Sequence, residues 1–136
     1  MSYLLDTDTL SNPLKKRPSS SLLRRLAEVP VAQQFTSAIT IGEMVYGAHR
    51  SAKRETFLQQ LYEEVLPNVR VLSFDLEAAL VFGRLRAELE SLGTPLDLAD
   101  LRIASIAVSQ GLILVTGNVR HFERVPDLTV ENWLVD

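Results

Sequence analysis

The stretch Leu4-Leu5-Asp6-Thr7-Asp8-Thr9-Leu10-Ser11 decides how the rest of the chain is read. With Tyr3 in front, its apolar start reads as a short buried strand that stops at two acids one residue apart. Thr7 to Leu14 follows as a brief helix, halted by Asn12-Pro13 and Arg17-Pro18. A strand that ends in Asp-x-Asp can hold a metal, carry a covalent phosphoryl group or cap the next helix. Each reading makes its own demand on residues elsewhere.

Working outward, strands and helices alternate. Ser19 to Val29 carries Leu22, Leu23 and Leu26 at helical spacing behind a serine cap. Phe35 to Ala38 is the second strand candidate, and Thr40-Ile41-Gly42-Glu43 opens a helix to about Arg50. A further helix from Lys53 to about Val65 shows Phe57, Leu58, Leu61 and Tyr62 on one face, and Pro67 ends it. Val69 to Phe74 is a third strand. Asp75 begins a long helix through Ala79, Phe82, Leu85, Leu89 and Leu92 that stops at Gly93. Pro95 introduces a helix from about Leu98 to Gln110, closed by Gly111. Ile113 to Thr116 is a strongly apolar fourth strand, Leu128 to Val130 a fifth, and Trp133 packs back on the domain. This alternation predicts an α/β fold, a mainly parallel sheet of four to five strands between two helical layers, in a single domain over residues 1–136.

Composition narrows the chemistry. The 136 residues are 46% hydrophobic and 23% charged, an ordinary globular mixture. There is no cysteine, which excludes disulfides, thiolate catalysis and cysteine-based zinc sites and leaves oxygen-rich or histidine sites. No signal segment or membrane-length apolar run appears, so a soluble, cytoplasmic protein is expected. A net charge of −3 argues against broad nonspecific nucleic-acid binding. Lys15, Lys16, Arg17, Arg24 and Arg25 nevertheless fall close together, either as a solvated helix face or as an edge that steers a polyanion.

In a parallel sheet the functional crevice lies beyond the carboxyl ends of the strands. That rule selects Asp6 and Asp8 after the first strand, Glu43 in the helix after the second, Asp100 after Pro95 and Asn118 past the fourth. Oxygen ligands of this kind suit Mg²⁺ or Mn²⁺. Structural alternatives stand beside each. Thr40-x-x-Glu43 fits a capping box, Asp75 and Asp97 fit N-caps, and either Asp6 or Asp8 can cap the first helix. His49 and His121 read as surface or packing residues. Thr116 is either a plain strand residue or a hydroxyl that orients a carboxylate, and Arg120 either contacts a phosphate or neutralises the acids.

Four blocks in order resemble the PIN-domain ribonucleases, specifically the VapC-type toxins of type II toxin–antitoxin pairs. They are Tyr3 to Ser11, Ser37-Ala38-Ile39-Thr40-Ile41-Gly42-Glu43-Met44-Val45-Tyr46-Gly47, Asp100-Leu101-Arg102-Ile103-Ala104-Ser105-Ile106-Ala107, and Leu114-Val115-Thr116-Gly117-Asn118-Val119-Arg120-His121-Phe122. The resemblance covers nearly the whole chain and implies a PIN-like three-layer α/β/α sandwich. It carries Asp6, Glu43 and Asp100 over as metal-binding acids, with Asn118 at a fourth position where many PIN domains have aspartate. Asp6 and Asp100 would bind the metal, with Glu43 and Asn118 binding directly or through water, and Asp8 and Thr116 in support. It further implies Mg²⁺- or Mn²⁺-dependent endoribonuclease activity, a homodimer and a VapB-type antitoxin partner. Lys15, Lys16, Arg17 and Arg120 then become candidate RNA contacts.

Rival enzymes fail on residues. A haloacid-dehalogenase phosphotransferase needs Asp-x-Asp-x-Thr, but position 10 is Leu10, and it needs a late lysine. A receiver domain with a phosphoacceptor at Asp75 needs that lysine too. The only lysines are Lys15, Lys16 and Lys53. The remaining alternative is a PIN fold kept for protein interaction alone.

Overall fold

A computed structural model describes residues 1–136, and its core is a five-stranded sheet. The strands are β1 (Tyr3–Leu5), β2 (Gln34–Ser37), β3 (Arg70–Leu72), β4 (Ile113–Val115) and β5 (Val130–Glu131). Their order is β3-β2-β1-β4-β5, and every neighbouring pair is parallel. The helices are α1 (Thr7–Ser11), α2 (Ser20–Glu28), α3 (Ala38–Arg50), α4 (Arg54–Gln60), α5 (Leu76–Ser91), α6 (Leu98–Gln110) and α7 (Val119–Phe122).

The two central strands are buried on both faces, which is why Tyr3-Leu4-Leu5 and Ile113-Leu114-Val115 are unbroken apolar runs. Successive side chains point to opposite faces, so each strand feeds two cores. Leu4 and Leu114 join Leu85 and Leu89 of α5 and Leu101, Ile103 and Ile106 of α6. Tyr3, Leu5, Ile113 and Val115 join Leu10, Leu22, Leu61 and Trp133 on the other side. The result is three layers, α/β/α, as expected. Trp133 is buried edge-on against Tyr3 at 4.8 Å and lies under the Arg25 guanidinium at 4.7 Å.

Local signals set most boundaries. Asp75 and Asp97 accept the amides of Ala78 and Asp100 and so cap α5 and α6. Gly111, at φ +67°, closes α6 in the left-handed conformation that favours glycine, and Leu112 N–H reaches back to Ala107 C=O at 2.9 Å.

Two expectations need correction. Helix α3 starts at Ala38, because the buried Ser37 hydroxyl accepts the Thr40 amide at 2.9 Å. Thr40 is therefore an interior residue of the first turn, no Thr40–Glu43 capping box forms, and Glu43 sits in the second turn with no capping duty. The helix from Lys53 begins at Arg54 and widens into a looser turn over Leu61–Val65. Leu61 and Val65 of that turn are buried while Phe57 and Tyr62 are exposed, against the single apolar face expected.

Candidate active site

Strand order reverses between β1 and β4, with successive connections leaving to opposite sides, so the crevice beyond their carboxyl ends is the natural ligand position in this topology. Asp6 lies at that point. Its backbone N–H donates to Val115 C=O at 2.9 Å, continuing the β1–β4 pairing by one residue and fixing its Cα. Its carboxylate is held at both oxygens: Oδ1 accepts the Thr7 amide at 2.8 Å, and Oδ2 accepts the Thr116 hydroxyl at 2.9 Å. Asp6, not Asp8, is thus the cap of α1. The fully buried Thr116 hydroxyl also accepts the Asn118 amide at 3.1 Å, so one side chain orients both the acid and the turn after β4.

Asp8 has a different task. Its Oδ2 accepts the Gly117 amide at 2.8 Å and binds α1 to the β4–α7 turn. A Cβ at Gly117 would stand 2.8 Å from that oxygen and 2.9 Å from Leu134 Cδ1, so the close approach itself calls for glycine.

Electrostatics show which acids share one site. Asp6 is pushed above the ordinary aspartate range by burial, opposed by the Thr7 and Thr116 hydrogen bonds and reinforced by the charges of Asp8 and Asp100. Glu43 is raised by partial desolvation, then by Asp100, Asp6 and Asp97. Asp100 is raised by burial and Asp97, while a hydrogen bond from His121 works the other way. Three carboxylates from β1, α3 and α6 therefore repel one another across a common space. Crowding like charges in this way costs free energy in the empty site and favours a cation there.

Asn118 is exposed at the start of α7, and its side chain makes no hydrogen bond. His121, three residues on, reads from sequence as packing or surface, yet Nε2 lies 2.7 Å from Asp100 Oδ2. The signal available in sequence is its place, three residues past Asn118 in the short helix after β4. Ligand atoms of Asp97, Asp100 and His121 all fall within 4.8 Å of one another. Asp97 spends one oxygen capping α6.

The basic cluster divides. Arg24 pairs with Asp136 at 2.6 Å, and Arg25 pairs with Glu131 at 3.2 Å. Lys15, Lys16, Arg17 and Arg120 are exposed without an ion-pair partner, so Arg120 does not neutralise the acids. A 420 Å³ groove lined by Leu10, Leu14, Leu26 and Val65 contains none of Asp6, Glu43, Asp97 and Asp100. No helix is long and apolar enough to cross a membrane.

Comparison with known proteins agrees with this architecture. The family described as "PIN domain" matches residues 3–128. The chain is 36% identical over 133 residues to the "tRNA(fMet)-specific endonuclease VapC" of Salmonella typhimurium, covering 98% of each. In structure it is similar to a chain of DNA-bound VapBC from the same organism, with a TM-score of 0.89 at 35% identity over 98% of each chain. It is also similar to a chain of VapBC2 from Rickettsia felis bound to a promoter DNA fragment, with a TM-score of 0.88 at 32% identity over 98% of this chain and 99% of that one. The chain belongs to the PIN-domain family and, within it, to the VapC ribonucleases.

Proposed function

We propose that this protein is the endoribonuclease toxin of a toxin–antitoxin pair, acting on cytoplasmic RNA with Mg²⁺ or Mn²⁺ and held in check by a VapB-type antitoxin. The observation that carries this reading is the mutual repulsion of Asp6, Glu43 and Asp100 at the β1/β4 switch point. Their all-oxygen donor set fits a hard divalent cation. When bound, such an ion activates water and offsets charge on the phosphate under attack.

The protein's own residues supply the rest. Asp6, fixed at both oxygens, and Asp100 would hold the cation, with Glu43 and Asn118 contributing directly or through water. Thr116 orients Asp6, and Asp8 secures the turn that carries Asn118. The Glu43 carboxylate makes no hydrogen bond and has a raised proton affinity, which suits it to take the proton of attacking water. Lys15, Lys16, Arg17 and Arg120 supply phosphate contacts along the RNA. DNA-linked assembly with the antitoxin follows the DNA-bound VapBC relatives, and the same reading includes a homodimer.

The test incubates purified protein with initiator tRNA, other tRNAs and ribosomal RNA, with Mg²⁺ or Mn²⁺, with and without chelator, beside Asp6→Asn. Initiator tRNA comes first because the Salmonella relative carries that specificity in its name. Cleavage that disappears in chelator and in the variant is expected. Equal cleavage by Asp6→Asn would sink the assignment, and no cleavage of any RNA would favour an interaction-only protein.

A further inference from the structure

His121 is the one imidazole at the acid cluster, and two contacts define its surroundings. Its Nε2 lies 2.7 Å from Asp100 Oδ2, with both side chains about three-quarters buried. On the ring's other side, Arg124 Nη2 lies 3.3 Å from Nδ1, while Arg124 Nε donates to the His121 carbonyl at 3.1 Å. A guanidinium has donors and no acceptor, so Nδ1 must offer its lone pair. The proton then sits on Nε2 and is donated to Asp100.

We propose that His121 is a positioning residue for Asp100: its Nε2–H fixes the carboxylate rotamer in which Asp100 meets the cation, and Arg124 fixes the tautomer. This rests on the reading of Asp100 as a cation ligand. It also decides between two roles for the Asp97–Asp100–His121 group. A direct nitrogen ligand needs a free lone pair on Nε2, which Arg124 denies by occupying the one on Nδ1. The arrangement resembles the outer hydrogen bonds that orient metal ligands elsewhere, with histidine here as the supporting donor and carboxylate as the ligand.

The experiment titrates Mn²⁺ and Mg²⁺ calorimetrically into the wild type, His121→Gln and His121→Phe, whose Gln amide keeps a donor and whose Phe removes it. His121→Phe should lose about 10–100-fold in cation affinity, the range typical when a ligand's supporting hydrogen bond is removed, while His121→Gln retains most of it. In parallel, ¹⁵N spectra of the imidazole in the wild-type protein should show the Nε2–H tautomer with and without Mg²⁺, and Arg124→Ala should admit the other tautomer. Wild-type affinity in His121→Phe, equal losses in both variants, or loss of the Nε2 proton on Mg²⁺ loading would each overturn the proposal. The spectra decide the matter even if His121→Phe fails to fold. Absence of cation binding by the wild type overturns the nuclease reading as well, whereas binding that ignores His121 overturns this inference alone.

Discussion

The Thr116 hydroxyl donates to Asp6 Oδ2 across 2.9 Å, joining the ends of β1 and β4 from 110 residues apart in sequence. The contact is buried at Thr116 and turns two strand ends into one carboxylate of defined orientation. Thr116→Val keeps the shape and removes the bonds to Asp6 and to the Asn118 amide. Cation affinity or RNA cleavage is expected to fall about 10–100-fold, as when other supporting partners of a metal ligand are removed. Calorimetric titration and cleavage rates check it, and Thr116→Ser should restore most of the loss.

Asp6, Glu43 and Asp100 are all raised above their ordinary values of 3.8, 4.5 and 3.8. Between those values and the raised ones, the folded, cation-free protein holds more protons than the unfolded chain. The contribution of these groups to stability is therefore full below the ordinary values and is lost as pH rises through the raised ones. Asn caps a helix as well as Asp does, so Asp6→Asn relieves the repulsion without uncapping α1. A gain of about 1 kcal/mol, or roughly 3–5 °C in Tm, is expected for the cation-free variant at pH 7–8, shrinking toward pH 4. Mg²⁺ should raise the wild-type Tm and leave the variant nearly unmoved. Thermal melts over pH with chelator and with Mg²⁺ test both statements.

Because Ser37 caps α3, helix stability and chemistry separate. Ser37→Ala should cost about 1 kcal/mol through loss of the cap, read in denaturant melts. Glu43→Gln should change stability by less than about 0.5 kcal/mol, as for substitutions away from caps and cores, while cleavage falls at least ~100-fold through loss of a proton acceptor. A stability loss at Glu43 equal to that at Ser37 would return Glu43 to a structural role.

The basic residues should differ in the same way. Neutralising one phosphate-binding side chain flattens the slope of log affinity against log salt by about 0.7 for single-stranded RNA. Lys15→Ala with Lys16→Ala is expected to remove about 1.4 from that slope in filter-binding titrations on catalytically inert protein. Arg24→Ala, whose charge is already met by Asp136, should leave it unchanged.

Much of this protein is legible without coordinates. The unbroken apolar runs at Tyr3–Leu5 and Ile113–Val115, the caps at Asp75 and Asp97 and the stop at Gly111 are local, and each follows from residues within one turn or strand. Alternating strands and helices then impose the parallel sheet, and the acids that follow its strands gather at its carboxyl edge.

What tertiary structure decided is partnership. Asp6 and Asp8 are both plausible caps in sequence. Which one caps α1, and which reaches Gly117, depends on β4 lying beside β1. Arg24 and Arg25 read as free charge until the C-terminal residues fold against them. His121 reads as a surface histidine until α7 brings it to Asp100 on α6. Short-range steric and hydrogen-bond rules fix an element from its own residues. A side chain's role at a site depends on what the fold brings within hydrogen-bonding distance of it, and such bonds weaken steeply beyond about 3.5 Å.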